Sequence, residues 1–125
     1  MIQNYDQNLF IMKNDNLDSA LKKLSSNNLK CLVVIDVNQN VLGTVTDGDI
    51  RRAIVKYKDI SLKINKIYNP KFYYFTKLPT NSELKNIFSI KKFPLIPQLN
   101  KGKKIIKIFF IKNFANLSIK EDFFL

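Results

Sequence analysis

The 125-residue sequence contains no histidine, no tryptophan and a single cysteine, Cys31. Without histidine the chain cannot form a Ser-His-Asp triad, a histidine-activated cysteine nucleophile or a histidine-ligated metal site. One cysteine cannot form an internal disulfide or a cysteine-rich zinc site, and it is compatible with a reducing compartment. These absences exclude several enzyme classes, and we assign no catalytic or metal-ligating residue.

Glycine is equally scarce, since Gly43, Gly48 and Gly102 are the only three. A dinucleotide-binding G-x-G-x-x-G loop needs three glycines within six residues, and the residues around Gly102 do not supply the Walker A pattern. The N-terminus lacks the basic and apolar regions of a secretory signal. The most apolar tract, residues 105–111, is far shorter than the roughly 20 residues that cross a bilayer. We therefore predict a soluble, cytoplasmic protein.

Acidic residues are outnumbered, with 10 against 21 basic residues and a net charge of +11. Residues 1–62 carry eight basic and seven acidic residues, a net of +1, whereas residues 63–125 carry thirteen and three, a net of +10. A basic surface is typical of nucleic-acid-binding proteins. The alternative is compositional bias, because only two of the basic residues are arginines. The lysines that would bind nucleic acid are Lys91, Lys92, Lys101, Lys103, Lys104 and Lys107.

The chain repeats its apolar pattern at a distance of 64 residues. Leu9–Ile11 falls on Tyr73–Phe75, and the polar segment Asp36–Asn40 falls on Asn100–Lys104. Further apolar pairs are Ala20/Leu84, Leu24/Phe88, Leu29/Phe93, Cys31/Leu95, Leu32/Ile96, Ile35/Leu99, Val41/Ile105, Val45/Phe109 and Ile50/Phe114. The repeat predicts two similar units, residues 1–62 and 63–125.

Each unit is predicted to follow the order β-α-β-β-α. The predicted elements of the first unit are a strand at 9–12, a helix capped by Asp15 or Asn16, strands at 30–37 and 41–46 around a turn at 38–40, and a helix opened by Asp47-Gly48-Asp49. The second unit begins with a strand at 71–75, and a capping box from Thr80 to Glu83 starts its helix. Because units of about 60 residues bury too little surface alone, we expect an α+β fold whose two sheets pack face to face around a pseudo-two-fold axis. Such packing leaves clefts between the units, where ligands tend to bind.

One stretch carries a recognisable motif, Gly43-Thr44-Val45-Thr46-Asp47-Gly48-Asp49. It resembles the core of a CBS domain, in which an apolar strand and a turn precede Gly-h-h-Thr/Ser-x-x-Asp at the start of the last helix. CBS domains occur in pairs, called Bateman modules, which agrees with the repeat. The resemblance covers nearly the whole chain and is closer in the first unit. Pro97 stands where the family often has a proline.

The resemblance implies that the chain binds an adenosine compound, with AMP, ADP, ATP or S-adenosylmethionine as candidate regulatory ligands and no required cofactor. At the matching positions Asp49 would accept hydrogen bonds from the ribose hydroxyls, and Thr46 would contact phosphate. A carboxylate has acceptors for both hydroxyls of a diol, and a helix N-terminus favours an anion. Arg51 and Arg52 lie in the first turn of that helix, where one could reach a phosphate bidentately. The alternative is that Thr46 and Asp49 only cap the helix and that the arginines are solvated.

The second unit departs from the motif, because Lys107, Phe110 and Asn113 replace the glycine, the hydroxyl residue and the aspartate. Phe110 cannot donate a hydrogen bond to phosphate, and the neutral Asn113 is a weaker partner for a diol. We therefore expect at most one nucleotide per chain, bound in the cleft of the first unit.

The string from Gly43 to Arg52 also resembles two bacterial groups of CBS pairs. One precedes sugar-1-phosphate nucleotidyltransferases of the mannose-1-phosphate guanylyltransferase type, which make glycan precursors, and the other follows arabinose-5-phosphate isomerase. A methionine just before the first unit favours the first group. The resemblance thus implies a non-catalytic regulatory region that acts on a downstream catalytic domain of the same polypeptide and forms a homodimer.

Three alternatives stay open at this stage. The chain could be the CBS pair of an isomerase-like protein, or a basic nucleic-acid-binding domain. It could also be a degenerate pair that only dimerises its enzyme. In that case the contact would use exposed aromatic residues, for which the candidates are Phe109, Phe110, Phe123 and Phe124.

Overall fold

A three-stranded sheet forms the centre of the first unit in the computed structural model, which describes residues 2–114. Its strands are β1 (Phe10–Met12), β2 (Cys31–Ile35) and β3 (Val41–Thr46), in the order β1-β2-β3. β1 runs parallel to β2, and β3 runs antiparallel to it. All five residues of β2 are buried, because both faces of this apolar central strand are covered.

Two helices cover one face of this sheet. α1 (Leu17–Asn27) begins after Asn16, whose side chain accepts a hydrogen bond from the backbone N–H of Ser19 at 2.9 Å. Of the two predicted caps, Asn16 is therefore correct and Asp15 is not. α2 (Asp47–Tyr57) begins directly after β3, as predicted. The joining segment that follows is helical only in one short 3₁₀ turn at Ile64–Lys66. The core under both helices is formed by Ile11, Leu17, Ala20, Leu24, Leu32, Val34, Val45, Ile50, Ala53 and Ile64.

The second unit contains α3 (Asn81–Lys91), β4 (Leu95–Leu99) and β5 (Ile105–Phe110), with β4 and β5 antiparallel. The predicted capping box is confirmed, because the Thr80 hydroxyl accepts from Glu83 N at 3.1 Å. Of the last predicted helix, the structure describes residues 112–114, which are helical, and Phe123 and Phe124 lie outside the described residues. The two units together form an α+β fold.

The prediction of a strand at 71–75 is wrong, because this segment forms only one parallel bridge, Phe75 with Gln98. Phe75 N donates to Pro97 O, and Leu99 N donates to Phe75 O, both at 2.9 Å. The next bond of a parallel ladder would run from the N–H of residue 97 to the carbonyl of Tyr73. Proline has no N–H, so the ladder stops there.

The two units pack sheet against sheet. One buried cluster takes side chains from both, namely Ile2, Leu9, Phe10, Cys31, Val33, Ile35 and Val41 from the first unit and Leu95, Leu99, Ile105 and Ile108 from the second. The matching turns of the repeat also meet, since Val41 N donates to Lys103 O at 2.8 Å and Lys104 Nζ donates to Asn40 Oδ1 at 2.9 Å. These contacts bring the two halves of the repeat together over a shared core and leave clefts at either side. No helix between residues 2 and 114 is long and apolar enough to cross a membrane.

Candidate functional site

A cavity of about 420 Å³ lies between the two units, at the start of α2. The first unit lines it with Cys31, Thr44, Thr46 and Asp49. The second lines it with Asn69, Lys71, Phe72, Tyr73, Lys91, Phe93, Pro94 and Leu95. Binding sites for small molecules typically measure about 300–1,000 Å³ and combine apolar walls with a few polar groups. The cavity has that size and that mixture of groups.

Thr46 and Asp49 line the cavity and also cap α2. The Thr46 hydroxyl accepts from Asp49 N at 3.1 Å, and Asp49 Oδ2 accepts from Thr46 N at 2.9 Å. This reciprocal pair is a capping box, so the helix-cap interpretation of the motif is correct as geometry. Because the Asp49 side chain is still 27% exposed, the cap does not withdraw it from the cavity.

Arg51 and Arg52 are placed outside the cavity lining, on the exposed side of α2. Arg52 Nη2 donates to Asp49 Oδ1 at 2.7 Å, and Arg51 Nε pairs with Asp47 Oδ2 at 2.9 Å. The guanidinium group of Arg52 lies across Gly48, where an added Cβ would be 3.2 Å from Nη1. The predicted contact of these arginines with a phosphate stays a prediction.

The second unit contributes cavity residues that the motif did not indicate. Tyr73 and Phe93 form an aromatic wall, with ring centroids 5.9 Å apart and planes 27° apart. Lys71 and Lys91 add two exposed cations. The only signal in the sequence is the 64-residue repeat, which places this unit opposite the motif without saying which side chains face it.

Gly43 allows the joining segment to lie against β3. Thr44 N donates to Asn69 O at 3.1 Å, and Asn69 N donates to Thr44 O at 2.8 Å. A Cβ on Gly43 would lie 2.2 Å from Asn69 O, a distance that no folded chain accommodates. The motif glycine thus permits the close approach that positions Asn69, and with it Lys71 and Tyr73, at the cavity.

Cys31 lies at the buried end of the cavity, with 3% of its surface exposed. Burial, and to a smaller extent the charge of Asp49, raises the pKa of the Cys31 thiol from 9.0 to about 12. The thiol is therefore neutral at physiological pH and contributes a small apolar surface rather than a nucleophile.

The raised pKa predicts that Cys31 is protected from thiol reagents. At pH 8 the folded protein should react with iodoacetamide at least tenfold more slowly than the urea-unfolded chain, because the raised pKa leaves less thiolate and burial restricts access to the sulfur. Mass spectrometry of timed samples measures both rates. Rates within tenfold of each other would show that the thiol is neither buried nor shifted.

A second, smaller cavity of about 240 Å³ occupies the position that the repeat relates to the first. A shift of 64 residues carries Tyr5, Leu9, Asn27, Leu29 and Phe110 of this cavity onto Asn69, Tyr73, Lys91, Phe93 and Thr46 of the first. Phe110 stands in the place of the Thr46 hydroxyl. The second cavity therefore has no equivalent of the Thr46 hydroxyl, which caps α2 and lines the first cavity.

Tyr5 lies in this second cleft. Its hydroxyl accepts from Ile108 N at 2.9 Å, and its ring centroid is 6.2 Å from that of Phe110. The corresponding bond in the first unit runs from Thr44 N to the backbone carbonyl of Asn69. In the second cleft a tyrosine hydroxyl thus takes the place of the backbone carbonyl that accepts this bond in the first.

Several lysines considered for nucleic-acid binding contact their own chain. Lys103 Nζ lies 4.4 Å from the centre of the Tyr74 ring, and Lys107 Nζ lies 5.1 Å from that of Phe109. Lys104 bridges the two turns, and Lys91 lines the cavity.

Phe109, considered for dimer contact, is 6% exposed and packs in the core under α3. Core packing is therefore the correct interpretation for Phe109.

No group of three or more Cys, Asp or Glu side chains that could hold a metal ion occurs between residues 2 and 114.

Residues 6–56 match the family model for the CBS domain, and no curated protein matches the sequence. The matched segment contains Thr46, Asp49 and both arginines, and it ends within α2.

Solved structures of CBS domains match most of the chain. The CBS domains of a transcriptional regulator from Streptococcus pneumoniae are 17% identical, with 86% of each chain covered and a TM-score of 0.71. CBSX2 in complex with AMP is 20% identical, with 93% of this chain and 91% of that chain covered and a TM-score of 0.72.

A further structure shows a different ligand in the same fold. The CBS domain pair of protein MJ0100, in complex with 5′-methylthioadenosine and S-adenosyl-L-methionine, is 17% identical, with 90% and 89% covered and a TM-score of 0.74. At these identities the likeness concerns the fold, and it confirms the predicted fold class, that of a CBS domain pair.

Proposed function

We propose that this chain, which has the fold of a CBS domain pair, is a regulatory module that binds one adenine nucleotide in the cavity at the start of α2. The observation that carries the proposal is the position of Thr46 and Asp49. These two motif residues meet in a capping box and both face the cavity between the units. AMP, ADP, ATP and S-adenosylmethionine are the candidate ligands.

The capping box leaves Asp49 with capacity for a ribose. Each carboxylate oxygen accepts one hydrogen bond within the protein, Oδ2 from Thr46 N and Oδ1 from Arg52. A carboxylate offers about four lone-pair sites, so both oxygens can accept one ribose hydroxyl in addition. The Thr46 hydroxyl accepts from Asp49 N and can donate its own proton to a phosphate.

The opposite wall suits the base. Tyr73 and Phe93 present aromatic surface, and a purine ring stacks favourably on such surface. The ligand would thus contact the first unit through its ribose and the second through its base. A ligand that contacts both units in this way would stabilise their packing against each other.

Titration with AMP and with ATP, followed by calorimetry and thermal unfolding, tests the proposal. We expect one site per chain, because Phe110 and Tyr5 alter the second cleft. At a ligand concentration of about 100 Kd, the melting temperature should rise by on the order of 10 °C, since the ligand binds only the folded state. Two equivalent sites would contradict the single-site assignment, and no shift with either nucleotide would contradict the proposed function.

We further propose that the module belongs to a sugar-1-phosphate nucleotidyltransferase of glycan precursor synthesis. The support is the resemblance of the string from Gly43 to Arg52 to the N-terminal regulatory region of such enzymes. In this proposal the chain has no catalysis of its own, works in the cytoplasm and forms a homodimer. The nucleotide would shift the attached catalytic domain by its difference in affinity for two conformations. The reading frame beyond codon 125 tests the link, since it must encode a glycine-rich transferase loop.

A further inference from the structure

The cavity between the units carries more positive than negative side chains. Lys71 and Lys91 line it, and among the described residues Asp49 is the one carboxylate in the lining. Neither lysine forms an ion pair with a carboxylate anywhere in residues 2–114, so both charges are available to a ligand. In a cleft, such fixed charges raise the local concentration of an oppositely charged ligand.

The negative charge of Asp49 is largely matched within the protein. Arg52 Nη2 lies 2.7 Å from Asp49 Oδ1, and Thr46 N donates to Oδ2. Asp49 therefore acts on a ligand mainly as a hydrogen-bond acceptor rather than as an unpaired charge. Lys71 and Lys91 therefore determine which ligand charge the cavity favours, and they favour a negative one.

We infer that this cavity selects nucleoside phosphates over S-adenosylmethionine and uncharged nucleosides, and that Lys71 and Lys91 hold the phosphates. The inference rests on the proposed function and assigns the ligand class of the same site. A phosphate monoester carries about −1.5 to −2 charges at neutral pH, whereas S-adenosylmethionine carries a sulfonium cation and 5′-methylthioadenosine is uncharged. Solved CBS structures contain both kinds of ligand, so the fold alone does not decide between them.

The two units would bind different parts of the ligand, because both lysines belong to the second unit. The ribose acceptor Asp49 belongs to the first unit, and both cations belong to the second, one before α3 and one at its last residue. A phosphorylated ligand is therefore held from both sides by charge and by hydrogen bonds. A nucleoside without phosphate loses the contacts to Lys71, Lys91 and the Thr46 hydroxyl and keeps the ribose contacts to Asp49.

Calorimetric titrations with AMP, adenosine, 5′-methylthioadenosine and S-adenosylmethionine test the inference on the full chain. We expect AMP to bind at least tenfold more tightly than the other three. The affinity for AMP should fall as sodium chloride rises from 50 to 300 mM, whereas the affinity for adenosine should not. The double variant Lys71→Gln/Lys91→Gln should lose at least tenfold in AMP affinity and change less than twofold for adenosine.

Lys77→Gln is the matched control, because Lys77 is an exposed lysine of the same unit outside the cavity lining. It should leave AMP affinity within twofold of the parent chain. Tight binding of S-adenosylmethionine or 5′-methylthioadenosine, or an unchanged AMP affinity in the double variant, would overturn the charge selection and leave nucleoside binding in place. No binding of any of the four compounds would overturn the proposed function itself, and the inference with it.

Discussion

Replacement of Asp49 by alanine is expected to weaken AMP binding roughly 10- to 100-fold. The variant loses the acceptors for the ribose hydroxyls, and hydrogen bonds to a charged group contribute about 1.5–3 kcal/mol. It also loses the bond from Thr46 N to Asp49 Oδ2, so α2 loses half of its capping box. Calorimetric titration of Asp49→Ala with AMP measures the affinity, and urea unfolding measures the cost in stability.

The structure supplies a matched control in the other capping box. Thr80 and Glu83 form the same reciprocal pair at the start of α3, and α2 and α3 each contain 11 residues. Glu83→Ala should destabilise the chain by a similar amount, about 0.5–2 kcal/mol, and leave AMP affinity within twofold. Equal losses of affinity in the two variants would mean that Asp49 acts only as a cap.

Gly43→Ala is expected to be the most destabilising of the three glycine-to-alanine replacements, at roughly 1–3 kcal/mol or more. The added Cβ would lie 2.2 Å from Asn69 O and 2.9 Å from its carbonyl carbon. Both are backbone atoms of a segment tied to Thr44 by two hydrogen bonds, so relief requires breaking that pair. Since the same segment leads to Lys71 and Tyr73, AMP affinity should fall as well. Urea unfolding with and without AMP measures both effects.

Gly48→Ala is the comparison for Gly43. Gly48 has a negative φ, and its added Cβ would meet only the end of the flexible Arg52 side chain, at 3.2 Å. Alanine favours a helix over glycine by about 0.5–1 kcal/mol, so this variant should be neutral or more stable. A Gly43→Ala variant as stable as Gly48→Ala would mean that the joining segment does not lie against β3.

Local signals in the sequence predicted most of the first unit. The run of β-branched residues from Val33 to Ile35 predicts β2, and the polar turn that follows predicts the return to β3. Capping residues predict where the helices begin, because a hydroxyl, amide or carboxylate bonds to an N–H only two or three residues away. Such bonds depend on neighbours in the chain, so they can be recognised without knowledge of the packing.

The prediction of a strand at 71–75 failed because its pairing with β4 depends on one backbone hydrogen that Pro97 lacks. The segment 71–75 has the aromatic composition of a strand, but Pro97 removes the donor that would extend its ladder with β4. The same proline supported the family resemblance when only the sequence was considered. Its effect on a partner about 24 residues away could be seen only once the register of β4 with Phe75 was known.

The sequence alone determined the two-unit organisation, the α+β class and the pair of residues, Thr46 and Asp49, that begins α2. Tertiary structure decided which other side chains line the clefts: Lys71, Tyr73, Lys91 and Phe93 in the first, and Tyr5 in the second. The reason is the range of the interactions. Capping and strand alternation act over a few residues, whereas the two cavities are assembled from positions 20 to 100 residues apart that only the packing of the two sheets brings together.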